Sequence, residues 1–179
     1  MRFAIGVLLL AALGVQPALV AGDNSGETAD LIKAWNGAGK KLVAMAEDFP
    51  EAKYDYRPTP EVRTFAEQLL HVAGSTYFFA SLVKGEKPGE EDLSRETYKT
   101  KADVVAAFKK AVADGEAFMR ETGEAGLERP VKLPWEEAPV TARSLWFLTI
   151  EHAGEHYGNL VVYYRLNGMV PPASRQSGN

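Results

Sequence analysis

The sequence predicts an all-α fold: a four-helix bundle with a long crossover connection, preceded by a cleaved signal peptide. Three observations carry this. Four stretches place apolar residues every third or fourth position, the period of a helix with one buried face. The last three of them each follow a threonine suited to capping a helix N-terminus. Two connections, 84–99 and 123–140, are long for links between helices and read as crossover segments or a lid. The boundaries that follow are a signal peptide at 1–22, a bundle domain at 23–170 and a disordered tail at 171–179.

The N-terminal segment has Arg2 as a minimal basic region and an apolar run from Phe3 to Val15, followed by the small residues Ala18, Ala21 and Gly22. This is the layout of a secretory signal, with cleavage near Ala21 or Gly22. An uncleaved membrane anchor is the alternative. Gln16 and Pro17 interrupt a run already short for a span, which argues against it. The expectation is an exported, periplasmic protein with no stable membrane anchor after cleavage.

The first helix is predicted over 29–49. Leu31, Trp35, Ala38, Leu42, Met45 and Phe49 form one stripe, and Pro50 stops it. The second runs over 64–83. Thr64 and Glu67 make a capping box, and Phe65, Leu69, Val72, Thr76, Phe79 and Val83 form the main stripe. His71 falls on a second stripe with Ser75, Phe78 and Leu82, so this helix is covered on more than one side. The third runs over 101–121 from an N-cap at Thr100, with stripe residues Val104, Phe108, Ala111, Gly115 and Phe118, and ends at Gly123. The fourth runs over 142–167 from Thr141. Its stripe is Leu145, Thr149, His152, His156, Asn159 and Tyr163, and Pro171–Pro172 forbid continuation. Gly154 and Gly158 mark another face, where a second backbone could approach. A short extended piece is expected near 131–133.

Composition removes several functions. The chain has no cysteine, which excludes disulfides, thiolate nucleophiles, cysteine-ligated zinc and iron–sulfur clusters. A formal net charge of −4 offers nothing to nucleic acid. No G-x-S-x-G or Ser-His-Asp arrangement stands out. NGAGKKLV lacks the spacing of a phosphate loop and reads as close packing or local softness in the first helix. The acidic run Glu86, Glu90, Glu91 and Asp92 reads as a solvated loop.

Only three histidines occur, and His152 and His156 are one helical turn apart. With His71 from another helix they could form a three-nitrogen set with coordination positions left open, as a catalytic metal requires. Alternatively, His152 and His156 are polar bundle residues hydrogen-bonded to Tyr or Asn, and His71 is unrelated. HAGEH also fits H-x-x-E-H, a peptidase signature with Glu155 as general base, but no acidic residue follows to serve as the third ligand. A di-iron site needs Glu-x-x-His on two helices, and Gln68, Thr149 and Ala153 break that pattern. Glu155 stays as the candidate general base or histidine partner, and Glu67 reads first as the capping-box acid.

The segments RPTPEVRTFAEQLLHVAGS and HAGEHYGNLVVYYRLNGMVPP resemble the DinB-like superfamily in pattern: one histidine, then H-x-x-x-H with an aromatic and a leucine-rich tail. The resemblance covers nearly the whole chain after residue 22. It implies a four-helix bundle with a crossover and a divalent metal held by His71, His152 and His156. Zinc is the first expectation; nickel, iron or manganese are the alternatives. It also implies a metal-dependent enzyme of hydrolase or thiol-transferase type acting on a small-molecule substrate, or else a non-catalytic metal-binding or interaction module. A homodimer formed through bundle faces is a further expectation of the family.

Overall fold

The computed structural model describes residues 26–89 and 93–175. The expected signal peptide at 1–22 lies outside the described residues. Four helices dominate: α1 Glu27–Asp48, α2 Phe65–Lys84, α3 Lys101–Gly126 and α4 Ala142–Leu166. A two-stranded antiparallel ribbon, β1 Pro130–Val131 with β2 Val140–Thr141, ties off the link before α4. Among the described residues no helix is long and apolar enough to cross a membrane.

Local chemistry sets the helix starts. The Thr64 hydroxyl accepts from the Glu67 backbone N–H, and the Glu67 carboxylate accepts from Thr64 N–H at 2.6 Å. Thr100 and Asp103 repeat this capping box on α3, and Thr141 caps α4 through Ser144 N–H. Each cap satisfies backbone donors that the first helical turn leaves unpaired. Gly123, at φ 57° and ψ 172°, breaks the regular part of α3, and one further turn follows it.

α1 and α2 each pack against both α3 and α4, so α1 lies diagonal to α2 and α3 diagonal to α4. The 123–140 connection is therefore a crossover, while 84–99 joins two neighbours. The 49–64 link is a second crossover, as long as the 84–99 link. It is compacted by the 3₁₀ turn Glu51–Lys53 and by Tyr54, which is buried in the core. Phe49 stacks on Phe65 with ring centroids 3.9 Å apart, and Tyr164 lies 5.0 Å from Phe49. This aromatic knot joins α1, α2 and α4.

The stripe of α2 is buried at all six positions. On α3 the buried position after Gly115 is Met119 rather than Phe118, since a 3.6-residue period drifts against any fixed spacing. Asn159 on α4 is exposed, and Leu160 takes the buried position beside it. Gly39 and Gly115 are where α1 and α3 approach: a Cβ on Gly39 would sit 2.6 Å from Val112, and one on Gly115 2.8 Å from the Trp35 indole. The space beside Gly154 and Gly158 is open, because both lie on the solvent face of α4, and no backbone of this chain closes on them.

Of the tail expected at 171–179, residues 171–175 are described and lie back on α1, and 176–179 lie outside the described residues. Pro171 is buried, Pro172–Ser174 form a 3₁₀ turn against α1, and Arg175 bonds both Asp48 oxygens at 2.8 and 2.5 Å. The two prolines that end α4 also stiffen the chain as it lies back on α1.

Candidate metal centre

α2 and α4 bring His71, His152 and His156 together, with one nitrogen from each within 4.8 Å of the others. Their ring centroids are 4.5 to 5.0 Å apart. His71 and His152 are half-buried and His156 is buried. The pair on α4 shares a face because the residues are one turn apart. His71 reaches them from the second stripe of α2.

A buried network assigns the tautomer of His156. The Tyr163 hydroxyl donates to the Arg63 carbonyl, which can only accept. It therefore accepts from Gln68 Nε2–H at 3.2 Å. Gln68 Oε1 then faces His156 Nδ1 at 2.5 Å and accepts a hydrogen bond from its N–H. Neutral His156 is thus protonated at Nδ1, and its Nε2 lone pair is free for a metal. On His152, Nε2 lies 3.0 Å from Ser75 Oγ, and Nδ1 is 3.7 Å from the Glu155 carboxylate. That gap is too long for a hydrogen bond but favours a proton on Nδ1. The His71 ring has no hydrogen-bond partner among the described residues, only the edges of the other two rings.

Burial keeps all three rings neutral. It is the leading cause that lowers His71 to about 4 and His156 to about 3; Arg63 follows for His71, and for His156 the repulsion a protonated neighbouring ring would exert. His152 is also lowered by burial, and Glu155 partly opposes this. Neutral imidazoles are the ligand form of histidine. Zinc at 2.0–2.1 Å from each of three nitrogens places them roughly 3.4 Å apart, so ring rotations can bring these three onto one ion. The donor set therefore fits a divalent metal, and imidazole nitrogen suits zinc, nickel, copper or iron.

The carboxylates hold other places. Glu67 closes the α2 capping box and lies 3.5 Å from Arg57. The Glu155 side chain is 60% exposed and sits on the Nδ1 edge of His152, away from Nε2. Gln68 had no signal in the sequence beyond breaking a di-iron pattern, and its acceptor role depends on a partner 88 residues away. The aromatics divide: Trp35, Trp146 and Tyr163 are core, whereas Trp135 is 52% exposed and stacks 6.1 Å from Phe78. Phe79 connects that ledge to the His152 ring at 5.9 Å.

Comparison with known proteins bears on the family. The chain is 29% identical over 125 residues to the uncharacterized protein YjoA of Bacillus subtilis (strain 168), a span covering 69% of this chain and 80% of YjoA. The crystal structure of YjoA, a DinB-like protein, matches with a TM-score of 0.64 at 25% identity over 79% of this chain and 94% of that one. A conserved protein from Enterococcus faecalis shares the fold, with a TM-score of 0.59 and 16% identity over 79% of this chain and 97% of its own. The family model of the DinB superfamily matches residues 34–160, a span that holds α2, the crossover and all three histidines. On that match the chain belongs to the DinB superfamily.

Proposed function

We propose that the chain is an exported metal-dependent enzyme of hydrolase or thiol-transferase type, with one divalent ion on His71, His152 and His156. The observation that carries this is the convergence of three imidazoles, of which His71 lines an open cleft, with no carboxylate in the cluster among the described residues. A divalent ion there supplies a Lewis acid that makes a water or a thiol acidic near neutral pH. Gln68 holds His156 in the ligating tautomer, Glu155 faces the Nδ1 edge of His152, Ser75 would yield His152 Nε2 to the ion, and Phe79 packs against the His152 ring. Zinc is the first choice of ion. Export is read from residues 1–22 and predicts a secreted chain that begins just after Ala21 or Gly22, checked by N-terminal mass of the periplasmic protein.

The test is a screen of ester, amide, phosphoester and thiol-transfer substrates against zinc-loaded protein, with free zinc as control. Turnover above free zinc that disappears in His71→Ala supports the enzyme. A metal-binding module without catalysis is the second reading. It is favoured by the 60% exposure of the Glu155 side chain, the acid that approaches His152, and by the use of Glu67 in the α2 capping box. Bound zinc with no turnover across the screen selects the module.

A further inference from the structure

We propose that the ligand of this site carries a carboxylate or phosphate group, and that Arg63 receives it beside the three histidines. The proposal deepens the metal reading and rests on it. A cleft of about 440 Å³ opens onto His71, and three arginines, Arg57, Arg63 and Arg95, line it. Two are already engaged. Arg57 lies 3.5 Å from Glu67, and Arg95 grips both oxygens of Asp55 at 2.9 and 3.2 Å as well as the Tyr98 carbonyl. Arg63 has no ion pair or side-chain hydrogen bond among the described residues. Of the acids in the wall, Glu67 is in the capping box and Glu61 is held by Thr59 and its own backbone N–H, which leaves Glu96.

A solvated guanidinium on a surface is ordinary. Arg63 differs because its backbone is fixed to the centre: its carbonyl accepts from Tyr163, at the end of the network that runs through Gln68 to His156. Arg63 lines the same cleft as His71. Three neutral ligands cancel none of the charge on a divalent ion. A ligand entering the cleft therefore meets two positive partners, the ion and a free guanidinium. Carboxylates and phosphates match both, since a guanidinium fork bonds two oxygens at once.

The experiment is calorimetric titration of zinc-loaded protein with benzoate, phenyl phosphate and the neutral isostere benzamide. It is run on wild type, Arg63→Gln and Arg63→Lys, with zinc content measured in each. Expected is binding of at least one anion and none of benzamide. Arg63→Gln should weaken the anion about tenfold or more at unchanged zinc content, with partial recovery in Arg63→Lys. The two anions separate carboxylate from phosphate recognition. Equal anion affinity in wild type and Arg63→Gln overturns the proposal, as does benzamide binding as tightly as the anions. If wild type takes up no zinc, the metal reading fails instead. The same titration on metal-free protein then still scores Arg63, which loses its assigned role if Arg63→Gln changes nothing.

Discussion

Replacing Gln68 by Ala leaves the Nδ1–H of buried His156 without an acceptor and frees the ring to turn. Zinc affinity, measured by competition with a chelator, should fall about 10- to 100-fold, the range for outer hydrogen-bond partners of metal-bound histidines. Gln68→Glu keeps an acceptor at the same place and should lose much less. Equal losses in the two variants would remove the tautomer argument. The histidines themselves could be found from spacing, because one turn of helix forces His152 and His156 onto one face. Gln68 and Arg63 could not. A glutamine on a helix and an arginine before one have many ordinary roles, and only the folded contact with Tyr163 joins them.

At the scale of the element, helix starts were legible because caps are local: Thr64, Thr100 and Thr141 bond groups three residues away. Thr64→Ala should cost about 1 kcal/mol of unfolding free energy, read by urea denaturation. The two exposed-versus-packed glycines give a sharper contrast. Gly115→Ala drives a methyl into Trp35 and should destabilise by about 1–3 kcal/mol. Gly154→Ala enters open space on a helix and should stabilise by about 0.5–1 kcal/mol. The same sign for both would contradict the packing of α1 on α3. Which helices are neighbours was not legible. Link length pointed to 84–99 and 123–140 alike, yet the diagonal links are 123–140 and 49–64, because adjacency follows from how four apolar stripes interlock rather than from any connection.

Over the whole molecule, the three neutral rings couple stability to pH. Each titrates below its ordinary value of 6.5, His71 at about 4 and His156 at about 3. Between those values the unfolded chain binds protons that the folded chain does not. Their contribution is thus complete above pH 6.5 and is lost as pH falls toward about 3. Metal-free protein should show a lower urea midpoint at about pH 5 than at about pH 7.5, and a triple His→Gln variant should show a smaller drop. A metal on the site would protect the fold, since it binds the native arrangement and not the open chain. The central claim, one divalent ion on these three side chains, is tested most directly by zinc titration of the metal-free protein beside His71→Ala, His152→Ala and His156→Ala. Predicted is one zinc per wild-type chain, with affinity reduced at least about a hundredfold in every variant. Unchanged stoichiometry and affinity in all three variants would contradict it.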